Sequence, residues 1–250
     1  MEKNIFLEVE YLGTNYFGFQ VQTKAKHQNT IQAEIEKALF KLFRRKIRIA
    51  FAGRTDRGVH ARSQVVNFKV ESKIPLSNIK KALNSFLPYD IRVKGAKKVP
   101  LDFHARFSAK SKIYRYLILC KKEPSVFWND FAWHIDFPLN LETMQGLSKK
   151  IIGKRDFYTF AKEAKKYKDC IRNIKDISIK KKGNLIYIDI EANGFLRNMA
   201  RNIVSFLVKV GDGKLTPKTA EAILKREIAY SNKPAPACGL YLLRVEYEKA

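Results

Sequence analysis

Apolar residues in the first hundred positions switch repeatedly between two spacings, and the order of these switches limits the possible folds. Apolar residues alternate with polar ones in half-buried strands, whereas helices repeat them every three or four residues. The alternating segments are residues 4–11, 47–51, 65–70 and a strand starting at residue 91, and the helical segments are residues 29–43 and 76–86. The predicted order is β-α-β-β-α-β, with Asn29 capping the first helix and Gln32 as its capping partner.

The second half of the chain shows a similar order of elements without a sequence repeat. Its predicted elements are a strand at 114–119, a helix capped by Asn140 and ended by Gly153, a basic connection at 154–170, a hairpin over 171–190 with Lys180, Lys181 and Lys182 at its tip, a helix over 196–211, a short helix opened by Thr216 and Pro217, and a last strand at 240–247. We therefore expect an α+β protein made of two ferredoxin-like (split βαβ) halves with antiparallel sheets, residues 1–103 and residues 104–250.

The chain is strongly basic. Its 49 Lys and Arg residues against 24 Asp and Glu give a formal net charge of +25, which suits a polyanionic partner and makes nucleic acid the leading candidate. An anionic membrane surface is less favoured because no segment pairs a purely basic face with a strong apolar one. No apolar run reaches membrane-spanning length, and the N-terminus leads into a strand rather than a signal peptide. We expect a cytoplasmic protein.

A short polar loop, residues 52–61 (AGRTDRGVHA), places one carboxylate between two arginines. Guanidinium groups can hold a carboxylate ionised through charge-assisted hydrogen bonds, so Asp56 is the best candidate nucleophile or base. Gly53 and Gly58 allow a sharp turn on either side of it. The competing interpretation is a polar hairpin connection that carries only a surface ion pair.

The same loop resembles the signature of the tRNA pseudouridine synthase A family, with Arg57 standing where a small residue is usual. The resemblance extends over nearly the whole chain, through residues 11–20, 103–109, 112–116, 195–204 and 239–242. Phe19 stands where tryptophan is more usual, and Ala200 replaces the commoner valine. The chain is therefore identified by resemblance as a member of this family.

The resemblance implies an isomerase that converts uridine to pseudouridine at positions 38 to 40 of the tRNA anticodon stem-loop, with an aspartate, without a cofactor and as a homodimer. Motif matching assigns the aspartate to Asp56. It assigns Arg54 to extruding and holding the target nucleotide and Tyr114 to stacking on the uracil. It places Arg201 against the catalytic acid and Leu240 against the bound base. Without the resemblance, the pattern favours a loop salt bridge for Arg54 and core packing for Tyr114 and Leu240. For Arg201 it leaves pairing with the acid and snorkelling to the surface about equally supported.

The reaction breaks the C1′–N1 bond, rotates the uracil, forms a C1′–C5 bond and removes the C5 proton. A carboxylate could attack the base, attack the sugar or accept the proton, and these alternatives stay open. Because the atoms lie inside an RNA stem, the nucleotide must be flipped out, which costs a few kcal/mol. We expect a basic cleft between the two halves with Asp56 at its floor.

Two other classes of protein compete with this interpretation. A non-catalytic RNA-binding protein could use a ferredoxin-like sheet, but the aromatic RNA-recognition signature is absent. An aspartyl phosphotransferase or hydrolase would need a second acid or a metal cluster beside Asp56, and the four His and three Cys residues show no metal-binding spacing. Four lysines interleaved with Phe160 and Tyr167 are either phosphate contacts or a solvated face: Lys162, Lys165, Lys166 and Lys168.

Overall fold

A computed structural model describes residues 1–22, 29–231 and 233–248. Within these ranges the chain forms five α-helices and ten strands that pair mostly in antiparallel fashion, which confirms the α+β class. It divides into two compact units, the first comprising residues 1–110 with the C-terminal segment from residue 241, the second comprising residues 111–240. None of the helices in the described ranges is long and apolar enough to cross a membrane.

The elements follow one another along both units. In chain order they are β1 (Glu2–Tyr11), α1 (Ile31–Phe43), β2 (Ala50–Phe51), β3 (His60–Glu71), α2 (Leu76–Phe86), β4 (Ile91–Val99), β5 (Ser111–Cys120), β6 (Trp133–Ile135), α3 (Leu141–Ile151), β7 (Gly153–Asp156), β8 (Ile171–Lys182), β9 (Leu185–Ala192), α4 (Met199–Gly211), α5 (Pro217–Leu224) and β10 (Leu240–Glu246). Short 3₁₀ turns at residues 158–160, 164–166 and 237–239 connect some of them.

In the first unit, β1 lies between β3 and β4 and is antiparallel to both. The short strand β2 pairs with β3, and β10 adds to β3 in parallel through two residue pairs, Tyr241 with His60 and Leu242 with Ala61. The alternation in β1 buries Ile5, Leu7 and Val9 completely, as its sequence pattern predicts. The helices α1 and α2 pack against each other, and α2 also packs against β4.

In the second unit, β9 lies between β5 and β8 and is antiparallel to both, and β7 extends the sheet beyond β8. The short strand β6 pairs with β5 in parallel. Helix α3 packs against β8, α4 and α5. Arg115 on β5 and Asp189 on β9 form a bidentate ion pair, with N–O distances of 2.8 and 2.7 Å, between directly opposed residues.

Helix boundaries differ from the sequence prediction where a side chain makes another contact. The cap of α1 is Thr30, whose hydroxyl accepts from the backbone N–H of Ala33 at 3.3 Å, and not Asn29. Gln32 does not serve as a capping partner, because its side chain accepts from the N–H of Val21 and donates to Glu36. The predicted caps of α3 and α5 are confirmed.

Strand boundaries differ as well. β3 begins at His60 rather than near residue 65, so the connection that carries Asp56 is short. Part of the connection predicted at 154–170 is the four-residue strand β7, whose residues are mostly exposed and show no apolar alternation. The three lysines expected at the hairpin tip end β8, and Gly183, with φ of 57°, makes the turn after them.

Candidate active site

The candidate site in the first unit is built on the loop between β2 and β3. Asp56 is half-buried in this loop, and its carbonyl accepts from the N–H of Val59 at 3.1 Å, which closes a turn immediately after it. Gly58 has a φ of 78°, a conformation that few other residues adopt without strain. The backbone that carries the carboxylate is therefore fixed by a local turn that requires this glycine.

Side chains and backbone of the flanking strands hold the start of the loop. The side chain of Gln64 on β3 donates to the carbonyl of Gly53 at 2.8 Å, and the N–H of Ala52 donates to Val65 at 2.9 Å. The hydroxyls of Tyr11 on β1 and Thr55 lie 2.8 Å apart. Burial raises the pKa of Tyr11 to about 12, against the smaller lowering effect of its hydrogen bonds, so this hydroxyl stays protonated at neutral pH.

Residues 13–19 pack against the other side of the loop. The N–H of Phe19 donates to the carbonyl of Thr55 at 3.1 Å. Gly18 has a φ of 92°, and a Cβ there would lie 2.7 Å from the same oxygen. A Cβ on Gly13 would lie only 2.0 Å from the carbonyl oxygen of Val59. Both glycines are therefore required because the two backbones approach too closely for any side chain.

His60 ends the loop and is almost completely buried. Its Nδ1 accepts from the N–H of Gly13 at 3.0 Å, so in the neutral ring the proton lies on Nε2. Its ring stacks on that of Tyr241 in β10, with centroids 4.8 Å apart. The histidine thus joins three separate parts of the first unit at the end of the Asp56 loop.

The two arginines beside Asp56 are exposed. The guanidinium carbon of Arg57 lies over the ring of Phe17, 4.5 Å from its centroid. Across residues 1–22, 29–231 and 233–248, neither Arg54 nor Arg57 forms an ion pair with a carboxylate. Within the described residues, the interpretation that both guanidinium groups hold Asp56 is therefore wrong. Arg57 packs on an aromatic ring instead, and Arg54 faces solvent.

The other residues assigned by resemblance lie in the second unit. Tyr114 on β5 is buried, and its ring meets that of Phe195 edge-on at 4.8 Å. Arg201 lies in the first turn of α4, half-buried, and its Nε donates to the carbonyl of Ala235 at 2.6 Å. Leu240 is buried at the start of β10.

Residues 235–240 bring these three positions into one region of the second unit. Ala235 in this segment makes a second hydrogen bond with Arg201, since its N–H donates to the carbonyl of Arg201 at 3.2 Å. The segment also contacts β5. The hydroxyl of Tyr116 donates to the carbonyl of Pro236 at 2.8 Å, and Gly239 packs so closely on the Tyr116 ring that a Cβ there would lie 2.7 Å from it. Tyr114 is two residues before Tyr116 on β5, and Leu240 directly follows Gly239.

Sequence reasoning did not assign roles to the residues that position the loop: Tyr11, Gly13, Gly18, His60 and Gln64. The motif at residues 11–20 contained the signal, since two glycines in a short loop segment indicate close backbone contacts. In the described parts of the chain no three His, Cys, Asp or Glu side chains group as metal ligands would. The three cysteines are free thiols.

Comparison with known proteins shows which family the chain resembles. Residues 8–108 and 147–248 match the family model described as tRNA pseudouridine synthase. A tRNA pseudouridine synthase A of Thermoanaerobacter sp. (strain X514) is 43% identical over 246 residues, which cover 98% of this chain and 100% of the relative. Relatives from Caldicellulosiruptor bescii, named tRNA pseudouridine synthase A, and Clostridium perfringens, named tRNA pseudouridine synthase A 2, are 42% and 41% identical with the same coverage.

The α+β fold and these full-length matches define the protein as an RNA-modifying isomerase. The family model matches the Asp56 loop and helix α4, and the full-length relatives also cover the start of β5. The chain belongs to the tRNA pseudouridine synthase family.

Proposed function

We propose that this enzyme converts uridine to pseudouridine at positions 38 to 40 of the tRNA anticodon stem-loop, with Asp56 as the catalytic residue and without a cofactor. The observation that carries the proposal is the construction of the Asp56 loop. One half-buried carboxylate follows Thr55, whose hydroxyl contacts β1 and whose carbonyl accepts from Phe19, and it precedes a glycine turn. Such support preorganises a reacting group, which is what a catalytic carboxylate needs.

The proposed reaction begins with extrusion of the target uridine from the stem. The exposed guanidinium of Arg54, two residues before the acid, helps to extrude and hold the nucleotide. The Asp56 carboxylate then acts as nucleophile or proton acceptor while the C1′–N1 bond breaks and the C1′–C5 bond forms. The C5 proton is then lost and N1, freed from C1′, takes up a proton, so the product is an isomer of the substrate with its uracil ring restored.

The second unit supplies the proposed contacts to the base. Tyr114 presents an aromatic ring already oriented by Phe195, and Leu240 presents an aliphatic side chain. Arg201 supplies a positive charge to the reacting groups, and its bond to Ala235 orients its side chain. Because residues 235–240 connect α4 with β5, the three side chains act as one substrate-binding group.

The partner in this proposal is tRNA, whose phosphates match the formal net charge of +25. The proposal includes action in the cytoplasm and assembly as a homodimer, as the family resemblance implies. The alternative of a non-catalytic RNA-binding protein, which would bind tRNA without turnover, is not supported, because the full-length relatives are named tRNA pseudouridine synthases.

The substitution Asp56→Asn tests the catalytic role because it removes the charge and the nucleophile while keeping the size of the side chain. Unmodified tRNA is incubated with each protein without metal or cofactor, and pseudouridine is mapped by position. We expect the parent and Asp56→Asn proteins to bind tRNA similarly, but only the parent to form pseudouridine. Asp102→Asn, at an exposed acid of the same unit, is the matched control and should turn over like the parent. Parent-like turnover by Asp56→Asn would refute the assignment.

A further inference from the structure

Arg57 differs from the other residues of the Asp56 loop because its side chain packs on an aromatic ring. Its guanidinium lies over the ring of Phe17, and both residues are partly exposed. The backbone of Phe17 is itself fixed, since its N–H donates to the carbonyl of Asn29 at 2.9 Å. The cation therefore has a defined position immediately after the candidate catalytic acid.

The packing of Arg57 on Phe17 is not needed to hold the loop. The loop is already fixed by the turn at Gly58 and by contacts from Tyr11, Gln64 and Phe19. An exposed cation–π pair contributes at most about 1 kcal/mol. Its main effect is to restrict a flexible side chain, which lowers the entropy lost when that side chain binds a ligand.

The hydrogen-bonding capacity of the guanidinium remains unused. In the parts of the chain that the structure describes, Arg57 makes no ion pair or side-chain hydrogen bond, and its contact is the ring of Phe17. A guanidinium carries five N–H donors in a planar fork that matches the two free oxygens of a phosphodiester. The group is therefore oriented, charged and available beside the acid.

We propose that Arg57, oriented by Phe17, binds a phosphodiester group of the RNA backbone next to the nucleotide that reaches Asp56. This inference rests on the proposed function, because it places the substrate at Asp56. The contact anchors the backbone beside the extruded uridine while Asp56 acts on the base or sugar. A phosphate is the expected ligand because the fork fits its oxygens bidentately and any nucleotide sequence supplies one.

Four variants test the proposal through the affinity for unmodified tRNA, measured at several salt concentrations. Arg57→Ala should weaken binding about tenfold and reduce the slope of log affinity against log salt by about one. Arg57→Lys should keep the slope but weaken binding about threefold, since it keeps the charge and loses the fork. Phe17→Leu should weaken binding by a similar factor with an unchanged slope. Lys81→Ala, which removes an exposed charge on α2, is the control and should change neither value.

Two results would overturn the proposal. The first is a parent-like affinity and salt slope for Arg57→Ala. The second is equal loss of turnover in Arg57→Ala and Phe17→Leu at unchanged affinity, which would mean that the pair only positions the loop. Pseudouridine formation by the parent is measured in parallel, because its absence would refute the proposed function rather than the role of Arg57.

Discussion

Gly13 and Val59 approach so closely that a Cβ on residue 13 would lie 2.0 Å from the carbonyl oxygen of Val59. The N–H of the same glycine donates to Nδ1 of His60 at 3.0 Å. The segment after β1 and the end of the Asp56 loop thus form a single packed layer of backbone. Displacement of one must displace the other, so support of the acid depends on a residue 43 positions earlier.

Gly13→Ala should therefore lower both stability and activity. Relief of the clash requires a backbone shift, for which we expect about 1–3 kcal/mol of lost unfolding free energy. Gly146→Ala is the matched control, since a Cβ at this exposed position of α3 would meet nothing within 4 Å. It should stabilise the protein by about 0.5–1 kcal/mol. Urea unfolding and pseudouridine formation check both variants, and parent-like stability of Gly13→Ala would contradict the close approach.

Tyr11→Phe should remove the hydroxyl contact with Thr55, lowering the unfolding free energy at neutral pH by about 1 kcal/mol. It should also change the response to alkaline pH. Burial raises the pKa of Tyr11 to about 12, so the unfolded chain loses this proton near pH 10 while the folded protein retains it. The contribution of Tyr11 is complete below pH 10 and is lost as the pH rises towards 12.

Urea unfolding between pH 9 and 12 measures this effect of Tyr11. Tyr11→Phe should lose stability less steeply with pH than the parent does. The dependence should not vanish, because burial also raises the pKa values of Tyr16, Tyr230 and Tyr247. Tyr89→Phe, at an exposed position, is the control and should follow the parent. Identical alkaline slopes for Tyr11→Phe and the parent would contradict the burial argument.

Tyr114→Leu should reduce turnover more than Tyr114→Phe does, if the ring stacks on the uracil. Phenylalanine keeps the edge-on contact with Phe195 and the aromatic surface, so we expect turnover within about threefold of the parent. Leucine loses the ring, and base–aromatic stacking contributes about 1–3 kcal/mol. Single-turnover rates measure the difference, and thermal unfolding identifies loss through misfolding. Equal, near-parent rates in both variants would remove Tyr114 from the site.

Neutralising Lys162, Lys165 and Lys168 together should reduce the salt dependence of tRNA binding. These lysines are exposed, so the slope of log affinity against log salt should fall by about 2–3 if each contacts a phosphate. Lys166 is left unchanged because it forms an ion pair with Glu163 at 2.6 Å. The triple substitution to glutamine of the lysines at 180–182, which end β8, removes the same charge and should leave the slope near that of the parent. Equal slopes for both triple variants would favour a solvated face at 162–168.

Local signals in the sequence predicted the elements that local interactions build. Thr216 and Pro217 mark the start of α5 because a capping hydroxyl and a proline at the first position act within a few residues. Strand β7 was missed because its four residues carry no apolar alternation and it forms only by pairing with β8. The division into two ferredoxin-like halves, residues 1–103 and 104–250, stays a prediction, and so does the basic cleft.

The candidate site was also predictable only in part, because the sequence records interactions between neighbouring residues and not contacts between distant ones. The glycines of the loop and the position of Asp56 follow from nearby sequence. The contact of Arg57 with Phe17 joins residues 40 positions apart, so neighbouring charges suggested a pairing with Asp56 instead. Likewise, the connection of Arg201 and Tyr116 through residues 235–240 depends on tertiary packing that no short pattern records.

The return of β10 to the first unit has a consequence for biosynthesis. β10 pairs with β3 beside His60, and Tyr247 donates to the carbonyl of Ala105 at 2.7 Å. A ribosome that has completed residue 110 must add about 130 more before these contacts can form, which takes roughly ten seconds at common elongation rates. During that interval the nascent chain exposes one edge of β3 near the Asp56 loop. Premature termination within the second unit would thus leave the acid beside an unfinished sheet.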